Sequence, residues 1–416
     1  VPDDLLTRAR AAHDAAPPVG DAAYDRYCRA LAEQLTDHWP RIRAANATDV
    51  KGAEHAGMSP TLVDRLRLTE DHLDRMVALT EQVRRELTAI RAVEVDVSGA
   101  ARHVHRVPRP LGVVMMVYEA RPTVTVDGAL LPVAVGNAVL LRGGKENTAT
   151  NAALERAAHA ALRQAGLPAG LVTLLDDPDR RLLRALLKRP DQVDALIPRG
   201  SPALVDYCRT SSVPLIASGG GVNHLYVHSS ADPELAARVT VDSKLPEPAG
   251  CTSVETVLVD RAVAEAYFDA LARELEGRAS ALSLRVGPGL EVPADVGLRT
   301  SPLGPHDLGR EFLDPVIAVV GVDSLPSALD HVRRYGSKHT EGVVARDPEA
   351  VAAFRDRVDA AMVVVNGSLR LHDGPTLGLG AEIAIATGRL HVRGPVTLAA
   401  LVTHSYVTDA AGALRG

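Results

Sequence analysis

The chain has 416 residues, 46% of them hydrophobic and 24% charged, with a net charge of −6 and three cysteines. That length accommodates two or three domains with full cores, and the mild acidity excludes a dominant basic surface for nucleic acid or anionic membrane. Three scattered cysteines exclude a disulfide framework or a cysteine-built metal cluster and point to the reduced cytoplasm; the acidic start VPDDLLTRARAAHDA is not a secretory signal, and apolar runs break before membrane-spanning length.

In chain order, residues 1–92 read as helices, because apolar residues recur every three or four positions in YDRYCRALAEQLTDHW and PTLVDRLRLTEDHLDRMVALTEQVRREL. VEVDVSGAARHVHRVPRP alternates around a glycine, as a hairpin does. Strands LGVVMMVY, AVLLRG, LVTLLD, VDALIPRG and VPLIASGG then alternate with helices such as TATNAALERAAHAALRQAG and PDRRLLRALLKR. Short apolar strands separated by helices predict a buried parallel sheet. A second such block runs through HLYVHSS, SVETVLVD, AVAEAYFDALARELEGR, DPVIAVVGV, EGVVARD and AMVVVNG. Two blocks predict two doubly wound α/β domains with a cleft between them. LRTSPLGPHDLGREFLD reads as the most loop-like stretch, and the tail RGPVTLAALVTHSYVTD as β-prone.

Glycine clusters follow two of these strands, in RGGKEN (Gly143, Gly144) and IASGGGVNH (Gly219, Gly220, Gly221). Neither matches a dinucleotide or P-loop fingerprint, and taken alone ordinary turns explain them better. IPRGSPALVDYC places Gly200 and Ser201 between a strand and a helix, where free backbone N–H groups and the helix dipole suit a pyrophosphate. KLPEPAGCTSVETVLVD sets Cys251 at the exit of a loop stiffened by Pro246 and Pro248. A thiol there is either a small buried hydrophobe or a presented nucleophile, and as a nucleophile it needs a nearby cation or N–H dipoles, with Lys244 a candidate. Cys28 and Cys208 fall in helical patterns and read as packing residues. No histidine pair has metal-ligand spacing on a helix, so no metal site is expected. No G-x-S-x-G elbow supports serine hydrolysis.

Taken together, PLGVVMMVYEARPTVTVD, GNAVLLRGGKENTATN, LIPRGSPALV, GGGVNHLYV, CTSVETVLV, EFLDPVIAVV, VVVNGSLRLHDGPTLGLGAEIAIAT and LHVRGP resemble the gamma-glutamyl phosphate reductase family of the aldehyde dehydrogenase superfamily. The resemblance runs from about residue 105 to the end. It implies an aldehyde dehydrogenase-like α/β fold in which Cys251 is the nucleophile. The thiolate would displace phosphate from an acyl phosphate, and NADPH would reduce the resulting thioester to a semialdehyde. By the same matching Arg142 and Lys145 reach the adenosine ribose, where cations suit the 2′-phosphate of NADP. Gly200 and Ser201 face the pyrophosphate, and Glu311 holds the nicotinamide ribose. Arg121, Thr123, Asn223, His224, Lys244 and Thr252 become candidates for binding substrate. Where hydrolytic relatives carry a water-activating Glu, this chain has Ala217 and Ser218.

Several positions depart from the family pattern: Thr123 and Thr252 replace Asn, Asn223 replaces Cys, His228 replaces Asp, and LRLHDGPTLGLGAE lacks two aromatics and carries Thr376 in place of Glu. These suggest a paralogue with a shifted acyl substrate, with proline biosynthesis as the default pathway. A carrier-protein or coenzyme A thioester reductase and a non-catalytic family member are the alternatives. The expected division is 1–92 with 110–225 for cofactor, 226–395 for catalysis, and 93–109 with 396–416 as a β element. Related enzymes pair such segments between subunits, which implies at least a homodimer. An upstream amino-acid kinase is a further expected partner, in the cytoplasm.

Overall fold

The computed structural model describes residues 2–95, 103–175, 180–277, 282–294, 297–389, 391–410 and 412. The chain divides into two compact units, one made of Val1–Ser218, Gly378–Ala384 and Leu390–Gly416, the other of Gly219–Leu377 and Ile385–Arg389.

The first unit begins with helices α1 (Pro2–Asp14), α2 (Ala22–His55), α3 (Pro60–Leu66) and α4 (Glu70–Glu86). Asp21 caps α2 by accepting from the Ala23 amide at 2.8 Å. Its buried residues Tyr24, Tyr27, Leu31, Leu35, Trp39, Ile42, Asn46, Val50 and Ala53 recur at three- and four-residue spacing, which makes one continuous apolar stripe. Next come β1 (Val93–Val95), β2 (Val104–Pro110), β3 (Val113–Tyr118), α5 (Thr123–Ala134), β4 (Ala138–Arg142), α6 (Thr148–Ala165), β5 (Val172–Leu174), α7 (Arg180–Leu186), β6 (Ala195–Arg199) and α8 (Pro202–Arg209). The α2 stripe packs along α6. Asp49 of α2 caps α6, its Oδ2 accepting from the Thr150 amide at 2.7 Å.

Strands β3 to β6 form a parallel sheet in the order β5-β4-β3-β6. Every residue of β3 is buried, as a strand covered on both faces requires. From β3 the chain steps outward through β4 and β5, then crosses to β6 on the other side. The carboxyl ends of β3 and β6 therefore flank a topological switch point, the usual place for a ligand on a parallel sheet.

The second unit contains β7 (Asn223–Val227), α9 (Pro233–Lys244), β8 (Val254–Asp260), α10 (Ala264–Leu275), β9 (Ser283–Val286), β10 (Arg299–Pro302), β11 (Val316–Val322), α11 (Leu325–Tyr335), β12 (Thr340–Val344), α12 (Pro348–Arg357) and β13 (Met362–Val365). Its seven strands run parallel in the order β10-β9-β11-β8-β7-β12-β13. Alternate side chains serve two cores: Leu225, Val227, Val257 and Val259 join Tyr267 and Phe268, whereas Tyr226 and Leu258 join Leu329 and Phe354. The period-two alternation thus buries both faces.

The chain closes with β14 (Glu382–Ala386), β15 (Gly394–Thr397) and β16 (Val402–Thr408). β14 and β15 make a two-stranded sheet, and β16 lies antiparallel to β2, giving a three-stranded sheet in the order β1-β2-β16. The turn expected between β1 and β2, at 96–102, lies outside the described residues. Among the described residues no helix is long and apolar enough to cross a membrane.

Two local expectations are corrected. VPLIASGG contributes only an isolated bridge between Leu215 and Leu196, because Pro214 offers no amide and the glycines follow at once. Conversely, the loop-like stretch after residue 298 supplies β10, an edge strand whose Pro302 sits at its end.

Candidate active site

Helix α9 ends at Lys244 and strand β8 starts at Val254, so Cys251 stands in the loop between them. Two tight turns shape that loop, the Gly250 amide donating to the Glu247 carbonyl and the Ser253 amide to the Gly250 carbonyl, each at 3.0 Å. Cys251 is half-buried, whereas Cys28 and Cys208 are fully enclosed. Burial pushes the Cys28 thiol up to about 12 and the Cys208 thiol up to about 11, so neither supplies a thiolate near neutrality.

The backbone around Cys251 is gripped from β7. Asn223 Nδ2 donates to the carbonyls of Cys251 and Ser253, both at 2.8 Å, while its Oδ1 accepts from the Thr340 amide at 3.1 Å. Gly221 lies so close that a Cβ there would sit 1.6 Å from the Cys251 carbonyl oxygen, which only a glycine avoids. The Gly221 amide donates to Glu311 Oε1 at 2.9 Å, and a Cβ at Gly220 would meet Glu311 Oε2 at 2.4 Å. Cys251, the glycine turn and Glu311 precede β8, β7 and β11 respectively. Their site therefore occupies the amino ends of a parallel sheet.

Lys244 and Glu255 form a buried ion pair, Nζ to Oε2 at 3.0 Å. The Lys244 cation is thus committed to Glu255, and its burial in the core leaves it no surface for a substrate. His224 is also fully buried, its Nδ1 and backbone amide facing Glu341 Oε2 at 3.0 and 2.8 Å, which sews β7 to β12. Asn223 has no exposed surface either, so its contacts are with the Cys251 loop. Thr252 is half-buried next to the thiol.

In the first unit, Arg121 and Thr123 follow β3 into α5, and Gly200 and Ser201 follow β6 into α8, at the switch point. Glu119 ties the two strand ends together: its amide donates to the Arg199 carbonyl at 3.1 Å and its Oε2 accepts from the Ser201 amide at 2.9 Å. Burial raises the nearby Asp127 carboxyl to about 6 against the opposing pull of Arg199 and Arg121. At the end of β4 Arg142 is half-buried, and Lys145 just beyond it is exposed. The acid beside them, Glu146, is turned inward and accepts from the Ala120 amide at 2.8 Å. A Cβ at Gly143 would lie 2.1 Å from Asn151 Nδ2, and one at Gly200 2.6 Å from Glu119 Oε2, so both positions need glycine for Asn151 and Glu119 to pack against the backbone. Two cations at the end of β4 and the amino end of α8 fit a phosphate-bearing ligand. Among the described residues no group of three or more His, Cys, Asp or Glu side chains is placed to hold a metal ion.

Glu119 and Glu255 went unread in the sequence. The available signal for Glu255 was a carboxylate set among the valines of the β-forming stretch SVETVLVD.

Comparison with known proteins accords with this frame. The profile described as aldehyde dehydrogenase family matches residues 58–301. A gamma-glutamyl phosphate reductase of Roseiflexus castenholzii is 39% identical, with 99% of each chain covered, and one of Salmonella agona is 38% identical, with 94% of each covered. The crystal structure of gamma-glutamyl phosphate reductase from Thermotoga maritima superimposes with a TM-score of 0.88 at 29% identity, over all of both chains. An acetylating aldehyde dehydrogenase from Geobacillus thermoglucosidasius shares the fold, with a TM-score of 0.73 at 19% identity, covering all of this chain and 97% of that one. The chain belongs to the aldehyde dehydrogenase family, within its gamma-glutamyl phosphate reductase branch. It is an oxidoreductase acting on a small molecule.

Proposed function

We propose that the chain reduces γ-glutamyl phosphate, or a close amino-acid analogue, to the semialdehyde with NADPH, through a thioester on Cys251. The observation that carries this reading is the half-exposed Cys251, its carbonyl held between Asn223 and Gly221 beside Glu311. The names of the relatives supply the substrate class. On this reading the second unit performs the covalent chemistry and the first binds cofactor, in the cytoplasm, as a step toward proline. An amino-acid kinase supplies the acyl phosphate.

Cys251 Sγ, as thiolate, attacks the acyl carbon; the S–C bond forms, the C–O bond to phosphate breaks, and inorganic phosphate leaves. NADPH, when bound, supplies hydride to that carbon. Collapse of the tetrahedral adduct releases the aldehyde and returns the thiolate to Cys251. Ala217 and Ser218 offer no carboxylate to activate water against the thioester, which favours phosphate as the exchange partner. Arg142 and Lys145 would hold the 2′-phosphate, Gly200 and Ser201 the pyrophosphate, and Glu311 the nicotinamide ribose. Glu119 competes with an anion for the Ser201 amide.

The test is reverse oxidation of glutamate 5-semialdehyde with NADP. Rates should require inorganic phosphate, vanish in Cys251→Ala, and favour NADP over NAD by roughly ten- to a hundredfold, a preference that Lys145→Ala reduces. Turnover that needs coenzyme A instead of phosphate, or that survives in Cys251→Ala, overturns the reading.

A further inference from the structure

We propose that Glu255, together with Lys244, is a positioning residue that locks the Cys251 loop and the Glu311 segment into one support, so that presentation of the nucleophile and binding of the cofactor depend on the same buried pair. The inference rests on the roles proposed above for Cys251 and Glu311.

The pair stands at the two ends of the nucleophile loop: Lys244 is the last residue of α9, and Glu255 the second of β8. Their bond pins the base of residues 245–254. Both side chains are buried, at 0% and 1% exposure. A buried ion pair recovers little of its desolvation cost, so it is weak as a source of stability and better suited to fixing one geometry. Glu255 makes a second attachment with the same oxygen, Oε2 accepting from the Phe312 amide at 3.0 Å. That bond fixes the backbone next to Glu311. Glu311 in turn accepts from the Gly221 amide, and Gly221 abuts the Cys251 carbonyl. The contacts close a circuit from the Cys251 loop through Lys244, Glu255, Phe312, Glu311 and Gly221 back to Cys251. Glu255 Oε1 has no hydrogen-bond partner although it is buried. A pair retained for packing alone would satisfy both oxygens or be replaced by apolar side chains. Lys244 also lies within electrostatic reach of Glu311 and Asp314, which ties its charge to the same segment.

The decisive variant is the double substitution Lys244→Met/Glu255→Leu, which removes both charges and leaves none unpaired. Its melting temperature should stay at or above that of the parent. Two readouts other than turnover should move: the NADPH dissociation constant, read by fluorescence, should rise about tenfold, and alkylation of Cys251 by iodoacetamide without cofactor should slow about tenfold, as the presented conformer becomes a minor one. A folded double variant with both values within about twofold of the parent makes the pair mere packing and overturns the proposal. Should that variant not fold, hydrogen exchange on the parent protein decides. NADPH should protect amides of 245–254 together with Phe312, and protection of Phe312 without the loop overturns the coupling. Controls separate this from the underlying reading. Turnover in Cys251→Ala, or an unchanged NADPH dissociation constant in Glu311→Gln, defeats the proposed function itself; if both controls behave as expected, parental values in the double variant defeat the coupling alone.

Discussion

Asn223 shows how one amide can organise a nucleophile. Its Nδ2 bridges the carbonyls on either side of Thr252 while its Oδ1 anchors to the Thr340 amide, so all three contacts point inward. Asn223→Ala removes both bonds from Nδ2 to those carbonyls, at about 0.5–1.5 kcal/mol each. The expected outcome is a kcat lowered roughly ten- to a hundredfold at nearly unchanged KM for the acyl substrate. Asn223→Asp should be worse, since a carboxylate faces two carbonyl oxygens. Steady-state kinetics check both, and equal kcat in parent and Asn223→Ala would remove Asn223 from any positioning role. At this scale the sequence spoke through contiguous motifs. Cys251 and Glu311 could be named because each sits in a recognisable stretch. The partnership of Glu255 with Phe312 and that of His224 with Glu341 could not, because each depends on a segment far along the chain.

Among the elements, those with a clean period were legible. The three- and four-residue spacing of α2, the unbroken apolar β3 and the mostly apolar, fully buried β7 and β8 follow from burial on one stripe or on both faces. Short polar strands escaped: β9 and β10 contain Ser, Arg and Thr, and are strands only because β11 offers an edge to β9 and β9 offers one to β10. VPLIASGG failed in the opposite sense, being apolar enough but denied a ladder by Pro214 and its glycines. In the loop once expected to shape the acyl pocket, Thr376 turns back on Asp373, its Oγ1 donating at 2.7 Å. The three-stranded sheet carries Val93, Tyr406 and Val407 on its outer strands at 46%, 70% and 45% exposure, which is large for apolar side chains on open β edges. We expect these strands to be covered in a homodimer or larger assembly. Light scattering at micromolar concentration should give at least twice the chain mass, and Tyr406→Lys/Val407→Lys should shift it toward monomer. A monomeric, fully active parent contradicts this.

For the molecule as a whole, two buried histidines held neutral weaken the fold in mild acid. Burial lowers His372 to about 4, with Asp373 opposing, and its ring faces His339 and Thr340. Burial also lowers His331 to about 4, aided by His224 and Arg334. An unfolded histidine takes up a proton below about 6.5, whereas these resist until about 4, so folding loses stability as pH falls through that window. Glu255, raised by burial to about 7, and Asp127, raised to about 6, act in the opposite direction over overlapping ranges. These two carboxyls offset part of what the histidines lose, and a single histidine's share is read by replacing it. His372→Gln should show a smaller drop in melting temperature between pH 7 and pH 5 than the parent; an equal or larger drop refutes the assignment.

The second unit is inserted within the first, whose final pieces are Gly378–Ala384 and Leu390–Gly416. That arrangement has a consequence for biosynthesis. As the ribosome emits the chain, the sequence for β7 through β13 is complete while β2 still waits for β16, whose seven residues pair with it from Val402 to Thr408. Asn137 likewise waits for the Leu401 carbonyl, which it meets at 2.9 Å. At about 5–20 residues per second the nascent first unit keeps an open strand edge for many seconds after its own sheet has been synthesised. The inserted unit can mature early, and the unit that encloses it in sequence can finish only once Val402–Thr408 has emerged.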